Sequence, residues 1–186
     1  MSNVILFLED GFEEIEALTV VDVLRRADIK CDMCGINGIN VKGSHGIEVK
    51  CDKVLKDIDA DDYNAVVLPG GMPGAKNLKE NENVIKIVKK YYSEGKIVAA
   101  ICAAPMVLNE AGIITGKEIT SYPNIELDNC NYVEKVVAED GNIITSRGPA
   151  TSIYFALKLV EKLSNLEKID ELKDKMMINF LESSAK

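Results

Sequence analysis

The sequence predicts an α/β fold with a mostly parallel central sheet, on three observations. Short runs without charge, Asn3–Leu8, Asn64–Leu68 and Ile97–Ile101, have the pattern of strands buried on both faces. Helical patterns separate them, as units of strand, helix and parallel strand require. Each run also ends in a stretch suited to a ligand site beyond the carboxyl ends of the strands: Glu9–Glu16, Pro69–Gly74 and the turn at Cys102.

The elements follow in order. After the first strand, Glu9-Asp10-Gly11 makes a turn and Glu13–Ala27 a helix, with Ile15, Leu18, Val21, Val23 and Leu24 on one broad face. Its acidic start (Glu13, Glu14, Glu16) and basic end (Arg25, Arg26) suit the macrodipole. Ile29–Ile36 returns as a strand. Gly38, Gly43 and Gly46 punctuate a hairpin-like region that leads to a strand at Ile47–Cys51, and Asp57–Asp62 is an acidic turn. Pro69–Gly74 opens a helical stretch, and a further helix spans Glu82–Glu94. Ile97–Ile101 runs through Cys102 into a helix over Ala103–Ala111, with Pro105 in its first turn, where a missing N–H is harmless. Glu118–Ser121 reads as a short strand and Tyr132–Ser146 as a hairpin about Asp140-Gly141. Pro149–Leu163 is a helix. Leu166–Leu181 is a last amphipathic helix, carrying Leu166, Ile169, Leu172, Met176 and Phe180 at helical spacing. No repeat or linker divides the 186 residues, which read as one domain.

Composition excludes some functions. Hydrophobic content of 47% and charged content of 28% are those of a soluble globular protein. A net charge of −8, with no cluster of Lys and Arg, speaks against a nucleic-acid-binding face. No apolar run approaches the roughly 20 residues that span a bilayer, so no membrane partner is expected. No leader pattern precedes Asn3, and a cytoplasmic location is expected. Five cysteines in such a chain fit reduced thiols better than a disulfide framework.

The chemistry centres on Lys96–Gly112. Ala99, Ala100, Ala103 and Ala104 are small enough for a sharp turn from strand to helix, with Cys102 at its apex: the cysteine counterpart of a nucleophile elbow. A helix N-terminus at that point favours a thiolate. The competing reading is a buried cysteine packed as a small apolar side chain. Gly70 and Gly71 follow a strand directly and can bring backbone N–H groups to a ligand oxygen as an oxyanion hole. A phosphate loop is the weaker idea, because the GKS/GKT ending is missing; a plain turn is the other alternative. A carboxylic acid near a thiolate can stabilise the sulfur anion and shuttle a proton, and Glu16 lies one turn into the first helix. Spacing does not choose among Glu13, Glu14 and Glu16. The one histidine, His45, sits in a Gly-rich loop outside the convergent segments, so a Cys–His hydrolase lacks its base. Cys31 and Cys34 lie three apart in a strand and face opposite sides, which makes them structural rather than a redox or metal pair. Cys51 and Cys130 have no recognisable partners.

Four segments together carry a family resemblance: Gly11-Phe-Glu-Glu-Ile-Glu16, Val67-Leu-Pro-Gly-Gly71, Ala100-Ile-Cys-Ala-Ala-Pro105 and Thr145-Ser-Arg-Gly-Pro149-Ala-Thr-Ser152. On these, from the first strand to about Leu163, the chain resembles the ThiJ/PfpI superfamily, in its DJ-one-like branch. The resemblance implies a flavodoxin-like three-layer sandwich and a homodimer. It implies that Cys102 is the reactive, oxidisable cysteine, that Glu16 is the acid hydrogen-bonded to it, and that Gly70 and Gly71 are backbone donors beside it. It further implies a glyoxalase or deglycase acting on small carbonyl compounds without cofactor or metal, or a redox-sensing stress protein with holdase behaviour. Peptidases of the more distant branch carry His directly after the cysteine; here Ala103 stands there. Some close relatives carry a His near the site where this chain has Tyr122, which can donate a hydrogen bond but is a poor base near neutral pH. His45 stands where some relatives have an arginine reaching across a dimer interface.

Overall fold

The structure, a computed structural model, describes residues 2–164 and 166–184, save the side chains of 166 and 167. The chain runs β1 (Asn3–Leu8), α1 (Glu14–Arg26), β2 (Lys30–Gly35), β3 (Asn40–Lys42), β4 (Glu48–Lys50), β5 (Lys53–Val54) and β6 (Ala65–Leu68). It continues through α2 (Gly74–Glu80), α3 (Glu82–Ser93), β7 (Ile97–Ile101), α4 (Pro105–Glu110), β8 (Glu118–Ile119), β9 (Asn131–Tyr132), β10 (Val137–Asp140) and β11 (Ile143–Ser146). Helices α5 (Ser152–Leu163), α6 (Leu166–Lys175) and α7 (Ile178–Ser184) close it.

Seven strands form the central sheet in the order β10-β11-β7-β6-β1-β2-β5, and β10 alone runs antiparallel to its neighbour. Alternation along β1 shows why its sequence carries no charge. Val4, Leu6 and Leu8 pack on one face with α1 and α5, while Ile5 and Phe7 pack on the other with α2, α3 and α4. Both faces are therefore buried and every position needs an apolar side chain. The result is the three-layer, flavodoxin-like α/β architecture. The cysteines of β2 obey the same alternation, with Cys31 in one core and Cys34 in the other.

The central position of β6, β7 and β1 brings their carboxyl-end loops side by side. Local capping fixes those loops. The Glu13 carboxylate accepts the Glu16 N–H at 2.7 Å and starts α1. Glu14 turns away to hold the β3–β4 hairpin, accepting from His45 N (2.7 Å), His45 Nδ1 (2.9 Å) and Ser44 Oγ (3.2 Å).

Four expectations change. The last helix is two, broken where Met177 adopts φ 60, so Leu172 and Ile178 are buried while Phe180 is 63% exposed. The side chain of Leu166 lies outside the described residues. The helix after Cys102 begins only at Pro105 and has six residues, because Cys102 to Ala104 form a tight turn first. Tyr132 leaves the β10–β11 hairpin to pair β9 in parallel with β8. Residues Lys53–Val54, unassigned from the sequence, extend the sheet as β5, held by pairing to β2 rather than by apolar pattern. Among the described residues no helix is long and apolar enough to cross a membrane.

Candidate active site

Cys102 follows β7 with φ 64, the left-handed region that non-glycine residues seldom adopt. Backbone pairing enforces it. The Cys102 N–H donates to Ser146 C=O at 3.0 Å, and its own C=O accepts the Tyr122 N–H at 2.8 Å. Such strain, about 1–3 kcal/mol, persists only where surrounding structure imposes it.

The Pro69–Gly74 loop folds against this elbow. Gly70 C=O accepts the Glu13 N–H at 2.9 Å, which turns the Gly71 N–H of the same peptide unit the other way, and Gly71 C=O accepts the Ala75 N–H at 2.9 Å. Gly70 donates to Glu16 Oε2 at 2.7 Å. The backbone N–H groups of Ala103 and Gly71 favour an anion on the Cys102 sulfur. Glycine is required at both positions. A Cβ on Gly70 would lie 2.7 Å from Cys102 Cβ and 2.7 Å from Glu16 Oε2. Gly71 has φ +88, and its Cβ would strike the backbone of Gly11 and Glu13.

Glu16 is fully buried beside the sulfur. Burial pushes its carboxyl up to about 7, against hydrogen bonds from Cys102 and Gly70 that favour the charge. Its second oxygen, Oε1, has no hydrogen-bond partner among the described residues, a further reason for a proton there. Burial, followed by the neighbouring Glu16 charge, pushes the Cys102 thiol up to about 12. Burial thus opposes a charge on either group and a charge on one opposes a charge on the other, so the two titrate as a coupled pair. The expectation that a helix dipole lowers the thiol is corrected, since α4 starts three residues beyond Cys102.

The structure thus brings Glu16, Gly70, Gly71 and Ala103 around Cys102 and separates the three acids that spacing left equivalent. Glu13 caps, Glu14 anchors a hairpin, and Glu16 meets the sulfur. Tyr122 touches the elbow through its backbone, while its side chain is 51% exposed with its ring over Gly148. His45 lies apart from Cys102, exposed and paired with Glu14, which raises its pKa through that hydrogen bond. Donor atoms of Glu13, Glu14 and His45 come within 4.8 Å of one another, but the carboxylates are engaged in capping and in holding the hairpin. Sequence reasoning missed the Ser146 carbonyl as the brace of the elbow, although the segment Thr145–Ser152 carried the family signal.

Fold and site together define a class: a three-layer α/β protein presenting a strained, carboxyl-paired cysteine at the carboxyl end of its sheet. The chain belongs to the DJ-1/PfpI family, which it matches over residues 2–162. It is 40% identical to protein dj-1beta of Drosophila melanogaster over 183 residues, covering 96% of this chain and 98% of that one. The crystal structure of that protein superposes with a TM-score of 0.91 at 41% identity, covering 95% of this chain and 98% of the other. A deglycase of Pyrococcus abyssi is 34% identical, over 87% of this chain and 99% of its own. An oxidized DJ-1 of Toxoplasma gondii gives a TM-score of 0.90 at 32% identity, covering 95% and 98%.

Proposed function

We propose that the protein is a glutathione-independent, glyoxalase- or deglycase-type cysteine enzyme. It acts on small reactive dicarbonyls such as methylglyoxal, and so limits carbonyl and oxidative stress in the cytoplasm. The carrying observation is Glu16, sealed from water against the Cys102 sulfur with its pKa moved to about 7, where a carboxyl both gives and takes a proton. In this reading the first charge of the pair forms on sulfur, where the Ala103 and Gly71 N–H groups favour it, and the proton stays on Glu16, whose Oε1 has no partner among the described residues.

The thiolate attacks the aldehyde carbon, forming a C–S bond and an alkoxide that the Gly71 and Ala103 N–H groups receive. Gly70, already donating to Glu16, orients the acid instead of serving the oxygen. Glu16 gives its proton to the alkoxide, yielding a hemithioacetal, and the resulting carboxylate removes the proton on the former aldehyde carbon. Return of that proton to the adjacent carbon leaves a thioester of the hydroxy acid. Water cleaves the thioester, releasing lactate and restoring the thiol, so that methylglyoxal and one water become lactic acid. The chemistry needs neither metal nor organic cofactor. With Tyr122 in place of an imidazole, Glu16 is the sole acid–base group of the scheme. The deglycase name of the Pyrococcus relative supports carbonyl chemistry at this site. The chain acts as a homodimer in this reading, and exposed Ile15 and Ile47 are available apolar contacts.

Lactate formed from methylglyoxal without glutathione tests this, comparing wild type with Cys102→Ser. Cys102-dependent lactate is expected; lactate at the mutant's background level would refute the reading.

A second reading, a redox sensor, is favoured by one observation: the Ala103 and Gly71 N–H groups favour an anion at the sulfur, which a sulfinate also is, and one relative is described as oxidized. Peroxide would oxidise the thiolate to sulfenic and then sulfinic acid, itself being reduced to water. Glu16→Gln separates the two, abolishing dicarbonyl turnover while leaving peroxide oxidation of Cys102 nearly intact if the enzyme reading holds.

A further inference from the structure

We infer that Arg147 forms an anion subsite beside Cys102, selecting reactants whose electrophilic carbon carries a carboxylate or phosphate nearby. Three observations carry it. First, β11 pairs with β7 in the register Ser146↔Ile101, and the Cys102 N–H bonds to Ser146 C=O, so the backbone of Arg147 lies next to that of Cys102. Second, the following residue, Gly148, lies under the Tyr122 ring, whose Cδ2 would be 3.5 Å from an added Cβ, and the Tyr122 N–H is bonded to Cys102 C=O. Arg147 therefore belongs to the same rim as Tyr122. Third, its side chain is only 24% exposed, yet it forms a long ion pair, 3.7 Å, with a Glu134 side chain that is 79% exposed.

A guanidinium whose ion pair is a long one to an exposed carboxylate keeps donors for a better-matched acceptor, and Glu134 is a poor one. An exposed carboxylate at that separation contributes little and is displaced easily. Arginine is also the side chain whose planar fork fits a carboxylate or phosphate through two parallel hydrogen bonds. The chain as a whole carries −8, so a cation at this place supplies local attraction that the overall field does not.

The substrate part of this inference rests on the dicarbonyl reading: the favoured substrate is an α-oxoaldehyde with an anionic tail. 4,5-Dioxopentanoate is a suitable probe, its rearrangement with one water giving 2-hydroxyglutarate. The binding part stands without turnover and is tested by alkylation. Iodoacetate and iodoacetamide differ in charge but react alike: the sulfur bonds to the CH2 carbon and iodide leaves. The readout is the iodoacetate-to-iodoacetamide rate ratio at Cys102, referenced to the same ratio on free cysteine.

Arg147→Met is expected to lower that ratio about tenfold, the worth of one charge-assisted contact, and Arg147→Lys to retain part of it. Glu134→Gln, a change at an exposed position, is expected to raise it. A ratio unmoved by Arg147→Met, or not raised by Glu134→Gln, overturns the subsite. In turnover, the preference of wild type for 4,5-dioxopentanoate over methylglyoxal should fall in parallel. If neither compound is turned over while the alkylation ratios move as stated, the dicarbonyl reading fails and the subsite holds.

Discussion

Gly70 donates its N–H to the Glu16 carboxyl at 2.7 Å, and through that bond the second of two converging loops aims the acid that meets Cys102. The relationship explains why no side chain is tolerated at Gly70. Gly70→Ala would set a methyl 2.7 Å from both Cys102 Cβ and Glu16 Oε2, forcing acid and sulfur apart. Lactate formation should fall sharply, with a destabilisation of about 1–3 kcal/mol in urea unfolding. Wild-type turnover in this variant would show that the Gly70–Glu16 contact has no part in the chemistry.

Glu16→Gln should lower turnover by about 10²–10⁴-fold, the range for loss of a general acid–base group. It also alters stability with a definite sign. The folded carboxyl sits at about 7 against an ordinary 4.5, so the native state binds the extra proton between those values. Wild-type stability is fully present below 4.5 and falls as pH rises through about 7, by about 3 kcal/mol. Urea titrations of Glu16→Gln should lack this decline. A decline of equal size in the variant would assign it to another group.

Glu14 has the opposite sign. Burial opposes its charge, but hydrogen bonds from the His45 side chain and from backbone N–H groups hold its pKa down to about 2. Its contribution is present above 4.5 and is lost as pH falls toward 2. Glu14→Gln should cost about 2 kcal/mol at neutral pH and loosen Ser44–Ile47, seen as faster amide exchange there. Unchanged exchange would mean the hairpin is held by its own strand pairing.

The thiols should divide by burial. Cys31, Cys34 and Cys51 are 2%, 0% and 4% exposed and burial pushes their pKa values up, to about 12, 12 and 11. Native alkylation followed by mass spectrometry should label Cys102 ahead of these three, which react only on unfolding. Early labelling of Cys34 would contradict the packing described for β2.

Much of this was legible in the sequence for physical reasons. Strands buried on both faces must be apolar throughout, so β1, β6 and β7 announce themselves, and the small residues about Cys102 mark the elbow. Other features depend on tertiary partners. Nothing in Glu13, Glu14 and Glu16 as residue types shows that one caps, one grips a hairpin and one meets the sulfur. Gly70 and Gly71 look alike until the tertiary partner of the Gly70 N–H, the Glu16 carboxyl, is known. The break at Met177 has no local signal, since Leu166–Leu181 keeps its helical period across it. β5 exists by pairing alone.

The most direct test of the account is the far-ultraviolet absorbance of thiolate against pH, taken as wild type minus Cys102→Ser. With the first charge of the pair on sulfur and the proton on Glu16, the difference should rise with a midpoint below the ordinary thiol value of 9.0. If no thiolate forms until the pH passes the ordinary thiol value of 9.0, Cys102 is not the poised nucleophile described here.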